Sequence, residues 1–362
     1  MNGVPFEQQQ YHPIRYMTMM GACISDDTTR FDEVANQLQE LSENYLGTSR
    51  VRPDSLLRRA DFPYSSSDGW EEYSEEIFDS ALKFFREGQN IFHIRRELVS
   101  MLTKTDVKKV RIDDIMSPFD FCYIHFGGAG PELWGSYHLD GSYIWSFIDE
   151  DEHSIGLCHI GSNQSGGYPE GSSPKIVFED KIHIFHLLVY EEPSFQTVED
   201  FLDWDFRDDS HGSELYQENR KRWKPHLDEV IPLVVNTLLF LTARPGDVSK
   251  RYHSNAPQNL VDKTKRAEER GDQSTKKRSE AKLLSHGHKR INFVGDKVAS
   301  ALQKGAGSED SPKTHWRRGH WRRQAHGPNY SQHKLIWIEP TLVGTENPES
   351  VETKHIYDVE DE

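Results

Sequence analysis

The sequence predicts an α+β protein: a helical amino-terminal part, then an antiparallel sheet, then a small basic β-rich module near the carboxyl end. Three observations carry that expectation. Apolar residues recur at three-to-four-residue steps up to about residue 116. Between Ser117 and Tyr190 the texture changes to short β-branched and aromatic runs separated by glycine-rich turns. Beyond Ile291, two further strand-like runs flank the turn residues Gly327-Pro328-Asn329.

In chain order, helical patterning covers Phe31 to Tyr45 and Glu75 to Leu102, where Ile91, Ile94, Leu98 and Met101 form a core-facing stripe. Strands are expected at Phe119 to Phe126, Lys175 to Glu179 and Ile182 to Tyr190, with Tyr143, Trp145 and Phe147 sharing one face of another. Gly127-Gly128-Ala129-Gly130 reads as a tight turn, because no Lys-Ser/Thr pair follows to make it a phosphate loop. Gly161 to Gly167 reads as an exposed loop. A helical stretch runs from Val198 to Ala243 and stops at Arg244-Pro245-Gly246. In the module, Ile291 to Leu302 fits one side of a short helix, and Thr314 to Gly319 and Lys334 to Val343 fit a β hairpin or a long β loop. The expected organisation is thus a mainly helical region 1–116, a sheet-plus-helix part 117–247 of the same acidic domain, a basic flexible linker 248–290, an arginine- and tryptophan-rich module 291–344 and an acidic tail 345–362.

Composition limits the function classes. The longest apolar run, Val230 to Ala243, is broken by Pro232, Asn236 and Thr237 and falls short of the roughly 20 residues a bilayer core demands, so it reads as a buried helix. The polar, glutamine-rich start carries no secretory signature, and Cys23, Cys122 and Cys158 are too scattered for a disulfide framework. A cytoplasmic location without membrane contact is expected. The net charge of −16 over 362 residues hides a division: Met1 to Ala243 carries −21, Arg244 to Leu335 carries +12, and Ile336 onward carries −7. A basic block inside an acidic chain points to an anionic partner, usually nucleic acid, or to docking on the chain's own acidic half.

The chemistry concentrates in residues 315–326, where four arginines, three histidines and two tryptophans occupy one string. Arginine forks match phosphate oxygens, and tryptophan faces stack unpaired bases. Arg317, Arg318, Arg322 and Arg323 are the candidate phosphate binders, and Trp316 and Trp321 the candidate stacking rings, with His315 beside them. His320 is the candidate catalytic residue, a histidine able to move a ribose 2′-hydroxyl proton in RNA cleavage. A strand pair whose tryptophans fill a core while its arginines meet the acidic half fits the same string. The histidine spacings lack a metal-ligand step, the acidic runs at Asp149 to Glu152 and Asp203 to Asp209 read as solvated faces, and His183 and His186 fall on opposite strand faces. Neither a metal nor a cofactor is expected.

This string resembles the family of anti-CRISPR proteins that inhibit type V-A systems by the second described route, with its bacterial and plasmid-borne relatives. The family shows a histidine, one variable residue, then Arg-Arg-Gly-His-Trp, a glycine turn, and a strand with a tryptophan and a proline. Here these are His315, Arg317, Arg318, Gly319, His320 and Trp321, then Gly327, Lys334, Trp337 and Pro340. The segment Ile291 to Leu302, with Gly295 at its centre, is similar to the short helix preceding the motif. The resemblance adds Lys334 and Trp337 to the nucleic-acid-binding candidates. It implies a cytoplasmic protein that lowers production of the type V-A nuclease by recognising its emerging amino-terminal peptide and causing loss of the translated message. On that reading residues 313–337 contact RNA or the ribosome, and the acidic amino-terminal domain takes a protein or nascent peptide. An RNase using His320, and a non-catalytic protein-interaction module, are the alternatives.

Overall fold

The computed structural model describes residues 11–16, 80–81, 83–84, 89–134, 137–149, 152–162, 181–189, 196–205, 214–286, 288–305, 315–317 and 319–343. The expected helix at Phe31 to Tyr45, strand at Lys175 to Glu179, most of the loop at Gly161 to Gly167, the acidic tail and Cys23 lie outside them.

A central mixed sheet organises the molecule. Its strands are β1 (Asn90–Ile94), β3 (Phe121–His125), β4 (Glu132–Trp134), β5 (Tyr137–Asp149), β6 (Glu152–Ser162), β7 (Lys181–Val189), β8 (Val248–Arg251) and β9 (Ile291–Val294). They run in the order β7-β6-β5-β3-β1-β9-β8, with β4 beside β5. From β3 to β7 the pairing is antiparallel, but β1 lies parallel to both β3 and β9. A parallel strand needs a crossover, and the helix α1 (Arg96–Thr103) supplies part of it between β1 and β3.

Ile91 and Ile94, expected on a helix, belong to β1 instead. The run Asn-Ile-Phe-His-Ile is flanked by strands on both sides and carries buried apolar residues on both faces, and such a short run cannot be told from a helix by periodicity. Leu98 and Met101 do face the core from α1.

The two faces of the sheet differ. One carries Phe92, Ile94, Cys122, Ile124, Ile144 and Leu157 into an apolar core, covered by α1, α2 (Val198–Asp205) and α3 (Glu214–Ala243). The expected buried helix at Val230 to Ala243 is the last part of α3, where every residue from Leu233 to Leu241 is buried. No helix among the described residues is long and apolar enough to cross a membrane. The opposite face carries His93, Tyr123, His125 and Tyr143, and a helical turn at residues 12–16 lies over it.

The stretch expected as a flexible linker is folded. It contributes β8 to the sheet edge, then α4 (Gln258–Glu269) and α5 (Gln273–Ser285), which pack on each other through Thr264, Ala267, Ser279 and Leu283. Small and β-branched residues do the packing, so the segment shows few large apolar side chains and imitates a solvated chain. Nor does the carboxyl-terminal part start a separate module at Ile291. Residues 291–294 form β9 inside the central sheet, and the helix begins only at α6 (Asp296–Gly305), after Gly295 with φ +93°. A Cβ on Gly295 would lie 2.8 Å from the Leu98 Cβ, so the turn and its contact with α1 both favour glycine.

Candidate functional site

The basic string forms β10 (His315–Arg317) and β11 (Gly319–His326). A 3-10 turn at Pro328–Tyr330 leads back into β12 (Gln332–Ile338) and β13 (Thr341–Val343). β11 pairs antiparallel with β12, while β10 pairs with β13. Gly327 and Asn329, with φ +80° and +55°, bend the chain, which is the work expected of Gly327-Pro328-Asn329. β11 also adds in parallel to β2 (Thr105–Asp106), which anchors the hairpin beside α1.

Register divides the candidates between two faces. Trp321 sits opposite Trp337 and Arg323 opposite Leu335, all on the face turned to α3. Trp337 is 3% exposed, with Phe240 edge-on at 5.2 Å between centroids and the Arg244 guanidinium 5.2 Å from its ring. Its indole N–H donates to Thr105 Oγ1 at 3.2 Å. This corrects the expectation that Trp337 binds nucleic acid: its ring is part of the core, because burying a large aromatic contributes more there than on a strand surface. Trp321 is half-buried, packs 6.4 Å from Trp337 and donates its N–H to Asn236 Oδ1 at 2.7 Å. Arg323 reaches Asp114 at 3.8 Å.

The outer face holds His320, Arg322, Gln324, His326 and Lys334, with Arg322 and Lys334 exposed. Here the expected cations remain open to an anion. The His320 side chain makes no hydrogen bond or ion pair with a described residue, and its register partners are Ile338 of β12 on one side and Asp106 of β2 on the other. His315, Trp316 and Arg317 are placed as β10 backbone, and Arg318 lies outside the described residues.

A second constellation, not singled out from sequence, lies on the polar face of the central sheet. His93 and His125 end the parallel strands β1 and β3 in register, and Phe293 of β9 lies on the other side of His93. The Tyr11 hydroxyl bridges His93 Nδ1 at 3.0 Å and His253 Nε2 at 2.8 Å, so it donates to one ring and accepts from the other. Beside it, Asp140 accepts from the Tyr123 hydroxyl at 2.7 Å and pairs with Arg15 at 3.4 Å, with His125 Nδ1 at 3.7 Å. His12 Nδ1 bonds the Tyr143 hydroxyl at 2.8 Å.

Burial first, then the charges of His125 and His253, pushes the His93 imidazole down to about 2; burial and Arg15 push His12 down to about 3. Burial alone would raise the Asp140 carboxyl, but Arg15 and His125 together with the Tyr123 hydrogen bond outweigh it and hold it well below the usual range. No group of three His, Cys, Asp or Glu side chains among the described residues is spaced to hold a metal ion. The arrangement is a layer of histidine and tyrosine rings around the buried Arg15–Asp140 pair, with His93 and His12 held neutral, and the turn at residues 12–16 is seated on it. A polar residue inside an apolar run, as in Phe92-His93-Ile94, was the one sequence signal for it.

The anti-CRISPR type V subtype A2 family (AcrVA2-like) matches this chain over residues 92–345. The chain belongs to that family. The span shared with the AcrVA2-like proteins begins inside β1 and ends just past β13, so it includes the α4–α5 pair and the hairpin, whereas Tyr11 to Tyr16 precede it. Membership assigns this AcrVA2-like chain to the proteins that counter type V-A CRISPR systems. Among solved structures, a crystal structure of AcrVA2 is similar at 12% identity, covering 91% of this chain and 98% of that one, with a TM-score of 0.45. No curated protein matches.

Proposed function

We propose that this protein lowers production of a type V-A CRISPR nuclease: its acidic amino-terminal part takes the nuclease's emerging peptide, and the hairpin β11–β12 contacts RNA or the ribosome so that the translated message is lost. The observation carrying this reading is the division of the hairpin. Its tryptophan face is rooted in the core, while Arg322 and Lys334 stand exposed on the other face. Exposed cations on a rigid strand pair suit phosphate, and a rooted hairpin holds them in fixed geometry. Family membership supports the target class.

Recovery of crosslinked RNA and ribosomes from cells translating a type V-A nuclease tests the reading. The parent protein should bring down RNA enriched in the nuclease message, and Arg322→Ala/Lys334→Ala should lose most of it. Equal recovery from both proteins, or none from either, removes the RNA-contacting role of the hairpin. In the same cells His320→Ala should still deplete the message; loss of depletion with RNA recovery intact would instead favour intrinsic cleavage.

A further inference from the structure

The α4–α5 pair carries a charge arrangement that the hairpin reading does not use. One flank of the pair is neutralised internally. Glu268 accepts from Lys276 across the two helices at 2.8 Å and pairs with Arg290 at 2.9 Å; Glu280 pairs with the same Arg290 at 3.3 Å. Glu268 and Lys276 meeting across the pair also shows which sides of the two helices lie together.

The other flank follows from helical spacing. On α4, Lys263, Arg266 and the cap residue Arg270 recur at steps of three and four, one above another. On α5, Arg278 and Lys282 recur at a step of four, turned away from Lys276. In an antiparallel pair these two stripes fall on the same side, opposite Glu268. All five cations are exposed, and none forms an ion pair with a described residue. Asp272 caps α5 by accepting from the Thr275 N–H at 3.0 Å and feels the field of Arg278 without pairing to it.

By helical spacing Asn259, Ser274 and Ser285 share the side of the cations, and the one large apolar side chain near them, Leu260, is only partly exposed. A protein partner would need a desolvated aromatic or aliphatic anchor at the centre of its interface. A nucleic-acid backbone needs only repeated cations and small polar donors. We infer that the flank of Lys263, Arg266, Arg270, Arg278 and Lys282 binds the phosphate backbone of RNA without reading sequence. This surface is separate from the hairpin and stands whether or not the hairpin touches RNA.

Anisotropy titration of the full chain against a fluorescein-labelled uridine homopolymer of about twenty nucleotides, over a range of KCl, tests it. Five backbone contacts give a log–log salt slope of up to about −3.5 for a single strand. Arg266→Glu/Arg270→Glu should flatten that slope by about 1.4 and weaken low-salt binding at least about tenfold. Lys265→Glu/Lys277→Glu changes the net charge equally but lies off the flank, and should leave the slope nearly unchanged. The comparison is repeated in the Arg322→Ala/Lys334→Ala background, where the flank-dependent difference should persist. Equal effects of the two reversals, absence of RNA binding, or competition by a peptide of residues 345–362 in place of RNA binding would each overturn the assignment; the last would make the flank a seat for the chain's own acidic tail.

Discussion

Trp321 donates its indole N–H to the side-chain oxygen of Asn236 at 2.7 Å, and the amide of Asn236 donates in turn to the carbonyls of Leu102 and Thr105, both at 2.9 Å. One buried side chain on α3 therefore joins the end of α1, β2 and the hairpin. Asn236→Leu removes the amide that donates to both carbonyls and leaves the indole N–H without its acceptor, and should destabilise the protein by about 2–4 kcal/mol in urea titration. A loss below about 1 kcal/mol would mean that water replaces the amide.

Trp337→Ala should cost about 3–5 kcal/mol, because it empties a site between Phe240 and the Arg244 guanidinium. Arg322→Ala, on the other face of the same hairpin, should stay within about 0.5 kcal/mol of the parent. Paired thermal melts check this contrast. Similar losses at both positions would contradict the rooted-face description.

Gly156 lies opposite Trp145 in the sheet, and a Cβ there would come within 1.9 Å of the indole ring. Trp145 in turn stacks on Phe121 at 6.0 Å between centroids. Gly156→Ala should displace the ring, cost about 1–3 kcal/mol and change the tryptophan emission. An unchanged spectrum with unchanged stability would show that the ring does not occupy that place.

His93 and His12 are held neutral in the folded chain, at about 2 and 3, against an ordinary value of 6.5. Below that ordinary value the unfolded chain binds protons that the folded chain refuses, so stability falls as pH drops from about 6.5 toward 4. Each such histidine contributes a slope of about 1.4 kcal/mol per pH unit. His93→Gln should therefore flatten the stability profile across this window while lowering the plateau near pH 7. A parent profile that is flat between pH 6.5 and 4 would show that these rings protonate in place.

Much of the architecture was legible because it rests on local pattern. The apolar run at Val230 to Ala243 could only be a buried helix, and Gly127 and Gly128, with φ +57° and +68°, do turn the chain after β3. Cys122 and Cys158 are buried and form no disulfide, as small apolar residues in strands should be. Local pattern misled where context overrode it. Helical spacing at Ile91 and Ile94 coincided with a strand buried on both faces, and the polar composition of 258–285 concealed two helices whose contact needs only Thr264, Ala267, Ser279 and Leu283.

The string 315–326 shows the same division at the level of function. By itself the sequence determined that arginine and tryptophan crowd together in one string leading into a hairpin or long β loop, and its motif was enough to suggest the family, since both depend on residue identity and spacing along the chain. Only the tertiary structure decided which side of that hairpin is available. The strand period separates Trp321 and Arg323 from His320 and Arg322, but the choice of face follows from what α3 presents to it: Asn236 to accept the Trp321 N–H, and Phe240 to pack on Trp337. Those partners lie some eighty to one hundred residues away in sequence, and no local pattern encodes a contact whose energy depends on a surface assembled elsewhere.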